Sequence, residues 1–445
     1  MAGVADTIFA VASGPGPAGV AVIRISGAGA RAALVSLTAR TQWYARRATR
    51  VRIVDGAGES LDDALALWFP RPASYTGEDV AELHVHGGRA VVAGVLHCLG
   101  RMRGLRPAGP GEFTRRAFEN DKLDLTQAEA IADLVAAETA AQCRQALRQL
   151  DGELRRLYEG WRERLLRAMV WAEAAIDFAD EDLPEGLQAA AREDIALLLA
   201  EVRRHLRDGG RGERIREGFS IVLIGSPNAG KSTLINALCG RDVSIVDAEP
   251  GTTRDIVEAG VVLNGVPVVI SDTAGLRDDG GRVEAEGVRR ALARGGTADV
   301  RVAVFDGAVW PALDPQTLAV LELDDTIPVV TKADLGRVVA PAKIAGDDAT
   351  VVCALSGAGL DGLRARLETM IGRACSGEGP TLTRLRHRRA LEVCEGALDR
   401  AAGAGSCETL AEDLRVASFA LGAVVGRVGV EDVLDGIFRE FCIGK

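Results

Sequence analysis

The chain has 445 residues, 47% of them hydrophobic and 26% charged, with a formal net charge of −10. That balance is that of ordinary globular protein, the length predicts about three domains, and the charge excludes a globally basic nucleic-acid coat while leaving room for a local patch. Eight cysteines without a CxxC pair suggest neither a zinc site nor a disulfide framework, and no uninterrupted apolar stretch reaches the length of a membrane span, so a cytoplasmic protein is expected.

Residues 1–121 read as mixed α/β. Val20–Ile25 is an apolar strand pattern closed by Ser26 and Gly27, and Val80–His86 alternates before Gly87 and Gly88. A helix follows from Arg89 to about Leu99, and Gly104–Gly111, broken by Pro107 and Pro110, reads as loop. Residues 122–212 read as helical, opened by a capping box at Thr126–Glu129 and divided by a turn at residues 180–184. Gly209 and Gly210 mark a linker. Residues 213–376 alternate strand and helix, the pattern of a mostly parallel sheet covered on both faces. Residues 377–445 are helical again, so the α/β unit is predicted to be inserted into one helical domain. Three stretches are arginine-rich: Arg46, Arg47, Arg50 and Arg52; Arg101, Arg103 and Arg106; and Arg384, Arg386, Arg388 and Arg389. Each, taken alone, reads as a solvated face.

The chemistry concentrates in the inserted unit. Gly225–Ser232 matches GxxxxGK[ST] directly after a predicted strand and before a helix. Its backbone amides, including those of Asn228, Ala229, Gly230 and Thr233, would cradle phosphate, Lys231 would reach the β and γ phosphates, and Ser232 would bind Mg²⁺. A strand ending at Asp272, followed by Thr273, Ala274 and Gly275, supplies a carboxylate for Mg²⁺ through water and an amide facing the γ-phosphate. Between them Gly251–Asp255 reads as a switch loop, one of whose threonines closes on Mg²⁺. Thr331, Lys332 and Asp334 follow a strand, and a carboxylate there accepts from the ring N–H and exocyclic amine of guanine. Cys353, Ala354 and Leu355 read as the last guanine loop. Thr331 and Cys353 stand where Asn and Ser are usual. Leu276 follows Gly275 where Ras-like enzymes carry a water-orienting Gln, so another group must orient water and neutralise charge.

Outside this unit, Asp6–Ile8, Gly14–Gly19 with Val22–Gly27, Tyr75–Asp79 through His86–Gly88, Pro110–Phe118, Lys122–Ala130 and the terminal Phe441–Lys445 resemble the tRNA uridine-34 modification GTPases of the MnmE (TrmE) family, over nearly the whole chain. The resemblance implies a tetrahydrofolate-binding and dimerising domain over 1–121, helical parts over 122–212 and 377–445, and a P-loop GTPase over 213–376. It implies a homodimer acting with the flavoprotein MnmG (GidA), which carries FAD, in a heterotetramer or larger assembly. Together they would add an aminomethyl or carboxymethylaminomethyl group to C5 of the wobble uridine of certain tRNAs, drawing on 5-formyl- or 5,10-methylene-tetrahydrofolate.

Carried over by residue, the resemblance places folate at Arg24, Glu82, Lys122 and Lys445. Basic groups suit a glutamate-tailed folate, and a carboxylate suits pterin N–H donors. It places K⁺ at Asn228 and in the nucleotide-contacting loop of Asp247, Ala248, Glu249, Pro250, Gly251 and Thr252, with ligands from Asp247, Glu249 and Thr252. The ion would sit where an arginine finger delivers charge in other systems. Thr253 becomes the Mg²⁺-closing threonine and Glu284 a catalytic residue that orients water through a second water. Cys442 matches a cysteine proposed as a nucleophile, a position equally explained by packing. Two other readings stand beside this one: a regulatory GTPase switch in ribosome assembly, which shares the GTPase motifs, and a folate-binding module with a degenerate GTPase. The final Cys442–Lys445 only superficially resembles a prenylation box.

Overall fold

The computed structural model describes residues 6–14, 16–177, 187–208, 210–240, 258–272, 298–377, 379–427, 434, 437–439 and 441–444. These form two compact units: one of residues 1–135, 147–200 and 390–445, the other of residues 136–146 and 201–389.

The first unit holds a six-stranded sheet in the order β3-β4-β5-β2-β1-β6. The strands are β1 (Thr7–Val11), β2 (Ala21–Ser26), β3 (Thr49–Val54), β4 (Ser60–Phe69), β5 (Val80–Val85) and β6 (Leu105–Pro107). Only β6 runs parallel to its neighbour, β1. It lies inside the stretch expected to be loop: three residues that follow Gly104 and end at Pro107 carry no readable periodicity, and a place beside β1 turns them into strand. The apolar strand predicted at β2 and the alternating one predicted at β5 are both present, and they send Ile23, Ile25, Ala81, Leu83 and Val85 inward. Helices α1 (Ala30–Thr38) and α2 (Arg89–Gly100) add Leu34, Leu37, Val95 and Leu99 to that core.

An acid–base cluster lies beside it. Arg116 bonds Glu78 at 3.0 Å and Glu112 at 3.1 Å, and Arg106 holds Glu112 at 2.6 Å. Burial pushes the Glu112 carboxyl up, but hydrogen bonds from Arg106, the Gly109 amide and Arg116 outweigh it and hold the group at about 2.

Helix α3 is Glu112–Glu119 and α4 is Leu125–Ala136. The box that opens α4 is not Thr126–Glu129. Asp124 Oδ1 accepts from the Gln127 amide at 2.9 Å, and Gln127 Oε1 accepts from the Asp124 amide at 3.1 Å. Thr126 and Glu129 are instead buried inside the helix. The reason is one of competition: Asp124 stands one residue before the first turn and caps as well as threonine does.

Helices α5 (Ala140–Leu150), α6 (Glu153–Asp177), α7 (Leu187–Leu206) and α8 (Arg211–Glu217) follow. The predicted turn at 180–184 lies outside the described residues. On α6, Leu154, Tyr158, Trp161, Leu165, Ala168 and Trp171 make one buried stripe at helical spacing.

The second unit is built on a seven-stranded sheet in the order β12-β13-β11-β10-β7-β9-β8. Its strands are β7 (Phe219–Ile224), β8 (Glu258–Leu263), β9 (Val266–Asp272), β10 (Val300–Asp306), β11 (Thr326–Thr331), β12 (Ala342–Ile344) and β13 (Asp347–Val351). Strands β13, β11, β10, β7 and β9 are parallel, with β12 and β8 antiparallel at the two edges. The central strands are apolar along their length because both faces are covered. Helices α9 (Lys231–Cys239) and α10 (Pro315–Ala319) lie between these strands in the chain, and α11 (Leu360–Cys375) follows the last of them. The predicted order of strand, phosphate loop and helix is therefore present, in a mostly parallel sheet.

Beyond it come α12 (Leu385–Ala402) and α13 (Cys407–Val425). Within the first unit α13 runs antiparallel to α6, pinned by Arg415 on Glu173 and by Arg427 on Glu159 at 2.5 Å. It ends at Gly426, whose φ of +86° and closeness to Phe118 (2.8 Å from where a Cβ would stand) leave no room for a side chain.

Leu83 is fully buried in the sheet core. Leu83→Ala should cost about 2–5 kcal/mol and speed amide exchange in β2 and β5. Unchanged protection there would mean that the sheet closes over the lost side chain.

Candidate functional site

The phosphate loop owes its shape to three backbone positions. Gly225 ends β7 where a Cβ would stand 2.3 Å from the Val304 carbonyl oxygen of β10, so no side chain fits between the strands. Asn228 and Gly230 adopt left-handed conformations, with φ of 63° and 88°. Glycine takes this freely, and asparagine is among the few other residues that tolerate it. The loop then feeds directly into α9, whose first amides and dipole favour an anion.

Lys231 is buried at the base of the loop, and its ammonium donates to the carbonyls of Gly225 at 2.8 Å and Ser226 at 3.1 Å. Ser232 Oγ donates to Asp272 Oδ2 at 2.7 Å. A hydroxyl and a carboxylate at that separation are hard oxygen donors of the kind Mg²⁺ takes, so the residues fit the ion. Pro227, Asn228, Gly230, Lys231, Ser232, Thr233, Asp272 and Lys332 together line a cavity of about 410 Å³.

The end expected to read the base is tied to the same loop. Thr331, 2% exposed, donates its hydroxyl to the Ala229 carbonyl at 2.6 Å, with the Phe305 carbonyl at 3.2 Å. Lys332 has φ of 57° and pairs with Asp306 Oδ2 at 2.7 Å. Asp334 is exposed, and Cys353 beneath it donates its thiol to Asp334 Oδ1 at 3.3 Å. Ala354 is half-buried and Leu355 is open to solvent. Asp306 was not among the sequence candidates. Its signal is an acid at the carboxyl end of a parallel strand just before a glycine, which its other oxygen also exploits by accepting from the Ala308 amide at 2.8 Å.

Of the remaining nucleotide candidates, Asp247, Ala248, Glu249, Pro250, Gly251, Thr252, Thr253, Thr273, Ala274, Gly275 and Glu284 lie outside the described residues. So does Leu276.

The N-terminal candidates fall on the six-stranded sheet. Arg24 and Glu82 face each other across β2 and β5 and pair at 2.9 Å, each 17% exposed. The Arg24 guanidinium lies 5.1 Å from the Tyr75 ring centroid and 5.7 Å from that of Phe113. Lys122 is exposed and donates to the Pro72 carbonyl at 3.2 Å. Lys445 is outside the described residues, but the residues before it are seated. Gly444 has φ of +101°, and a Cβ there would lie 2.0 Å from the Val11 carbonyl oxygen. Ile443 pairs with Pro110, and Phe441 is buried against Leu125 and Ala128. The tail thus reaches β1, whose Ala10 pairs with Arg24. Cys442 is exposed.

Comparison with known proteins follows this division. Residues 7–122 match the model of the GTP-binding protein TrmE N-terminus, and residues 125–442 match that of the MnmE helical domain. The tRNA modification GTPase MnmE of Paramagnetospirillum magneticum is 53% identical over 443 residues, covering 99% of this chain and 100% of the relative. Its counterpart in Rhodospirillum rubrum is 52% identical over 454 residues, covering 99% of each. That of Parvibaculum lavamentivorans is 50% identical over 446 residues, covering 99% of this chain and all of the relative. With the two models meeting near Lys122 and the relatives matching from end to end, the chain belongs to the MnmE family of tRNA modification GTPases.

Proposed function

We propose that the chain hydrolyses GTP and, with the flavoprotein MnmG, drives folate-dependent addition of an aminomethyl or carboxymethylaminomethyl group to C5 of the wobble uridine of certain tRNAs. The observation that carries the reading is that a single family chain holds both a nucleotide cradle around Lys231 and an Arg24–Glu82 pair on the strand beside the seat of its own carboxyl terminus. A GTPase switch without tRNA chemistry has no use for the second site.

In the nucleotide site the loop amides and Lys231 hold the β and γ phosphates. Ser232, with Asp272 through water, would hold Mg²⁺, which would supply positive charge to offset that of the phosphates. The carboxylate of Asp334, steadied by Cys353, accepts from guanine and rejects adenine. With Leu276 where a glutamine is usual, Asn228, Asp247, Glu249 and Thr252 would hold K⁺, which would supply charge at the transition state, while Thr253 would close on Mg²⁺ and Glu284 would orient water. In the N-terminal site Glu82 meets pterin N–H groups, and Arg24, Lys122 and Lys445 meet anionic or carbonyl groups of folate. A homodimer in the cytoplasm completes the proposal.

Among the described residues no helix is long and apolar enough to cross a membrane.

The overall reading is tested on tRNA. Cells lacking the chain should yield wobble uridine without the C5 group by mass spectrometry, and the full chain should restore it. A chain cut before Cys442 should fail to restore it while still hydrolysing GTP, because Gly444 and its neighbours are seated on the N-terminal sheet. Full restoration by the cut chain would remove Lys445 from the folate site.

The monovalent ion is tested by turnover. Exchanging Na⁺ for K⁺ should raise GTP hydrolysis several-fold, and Asn228→Ala should remove most of the rise. Equal rates in the two salts would sink the assignment.

Thr331 spends its single hydroxyl proton on backbone carbonyls. The phosphate-loop tether is therefore kept, and the contact to the base edge that asparagine would add is the one missing. Thr331→Asn should tighten GDP and GTP together by about one hydrogen bond, roughly 0.5–1.5 kcal/mol or up to about tenfold. Base preference and saturated turnover should stay as they are. Calorimetric titration with GDP decides it: equal or weaker binding would mean that the site already compensates.

A further inference from the structure

Between Asp6 and Asp55 the chain carries seven arginines and no carboxylate, although its net charge is −10. Arg24 is committed to Glu82. The other six, Arg31, Arg40, Arg46, Arg47, Arg50 and Arg52, are all exposed. Five of them, Arg40, Arg46, Arg47, Arg50 and Arg52, run through the loop after α1 and along β3, the edge strand of the six-stranded sheet, whereas Arg31 lies at the start of α1, where the preceding Gly29 packs on Thr7 of β1 and Leu105 of β6.

We infer that this arginine strip, with the exposed ring of Tyr44 set into it, is a surface on which RNA is seated. The inference rests on the tRNA-modifying reading above and adds to it the residues that touch the tRNA.

Three features favour a nucleic acid. First, Arg50 and Arg52 stand on the same face of β3, about 7 Å apart along the strand. Arg52 is 65% exposed and leans on Asp63 only at 3.4 Å, so its charge is accessible to a phosphate. Second, Tyr44 is 60% exposed and has the Arg47 guanidinium 5.7 Å from its ring centroid. Aromatic rings interleaved with planar cations are the usual platform for unstacked bases. Third, the platform is held in place. Ala45 bridges to Trp68, the Arg46 amide donates to the Trp68 carbonyl at 2.8 Å, and the Arg46 guanidinium donates to the Ala73 carbonyl at 2.6 Å. Ordering it on binding therefore costs little.

A second copy of the chain fits this edge badly. Strand-to-strand pairing across a twofold axis would set the strip against itself, and like charges directly opposed destabilise a sheet. A phosphate backbone neutralises the same arginines and releases counterions.

The test is binding of a fluorescent anticodon stem-loop RNA to the full chain, titrated from low to moderate salt. The variants are a triple R47Q/R50Q/R52Q and a single Tyr44→Ala. The triple variant should bind at least tenfold more weakly, with a salt slope shallower by about two, the share of three lost contacts on single-stranded RNA. Tyr44→Ala should lose about fivefold or more, with the slope unchanged. Intrinsic GTP turnover and thermal unfolding should match the parent in both, which separates lost contacts from lost fold.

If the parent binds and the triple variant binds equally with the same slope, the strip is not the seat, and the functional reading survives. Binding of the parent to vesicles of anionic phospholipid that the RNA fails to displace would reassign the strip to a membrane surface and overturn the inference. A change in oligomeric state by light scattering in the triple variant would reassign it to an interface between copies. No RNA binding by the parent at the lowest salt would also end the inference. Restoration of wobble-uridine modification in deficient cells would then still judge the functional reading separately.

Discussion

The nucleotide end of this protein depends on a buried hydroxyl. Thr331 closes β11 and donates to the carbonyl of Ala229 in the phosphate loop, so the element expected to read the base is tied directly to the element expected to hold phosphate. Around it, backbone approaches too close for any side chain set the loop's position, above all Gly225 against Val304. Lys231, Ser232 and Asp272 then find their places with little freedom left, and the energy of ligand binding need not be spent on ordering them. Lys332, bent into a left-handed turn, is anchored by Asp306 on the neighbouring strand. The site is thus a property of five parallel strands ending at one edge, the place where such sheets bind ligands.

A comparable close approach organises the N-terminal sheet. Gly444 lies against the carbonyl of Val11, and Phe441 fills a core with Leu125 and Ala128. The last residues of the chain therefore belong to the same body as β1 and β2, although more than four hundred positions separate them in sequence. Arg24 and Glu82, two ordinary surface types in a sequence, become a partly buried pair flanked by aromatic rings because β2 and β5 are antiparallel neighbours in that register. A charged pair kept this dry needs polar partners, and besides Arg24 the Glu82 carboxylate has His84 Nε2 at 3.4 Å.

Several elements were legible because their signal is local. The apolar run of β2, the alternation of β5, the apolar run of β7, and the glycine-rich turn into α9 all state their structure within a dozen residues. Where neighbours compete, local reading slipped. Asp124 and Thr126 both suit an N-cap, and the start of the helix at Leu125 gave the cap to Asp124 with Gln127 as its reciprocal partner. The three residues of β6 had no pattern to read and are strand only because β1 offers its edge. Asp306 escaped notice because an acid after a strand is common, and its meaning appears only when Lys332 arrives from the next strand.

By itself the sequence determined the kinds of chemistry: a phosphate loop with its lysine, a carboxylate suited to guanine, the absence of a glutamine after Gly275, and two flanking segments resembling one family. These follow from residue type and short spacing, which the chain carries wherever it folds. Only the tertiary structure decided which groups meet. It turned Thr331 inward to the Ala229 carbonyl, set Cys353 beneath Asp334, paired Arg24 with Glu82, and gathered five exposed arginines on and beside the edge strand β3. Such meetings depend on strand order and register, and these are fixed by burial across the whole sheet rather than by any segment of it.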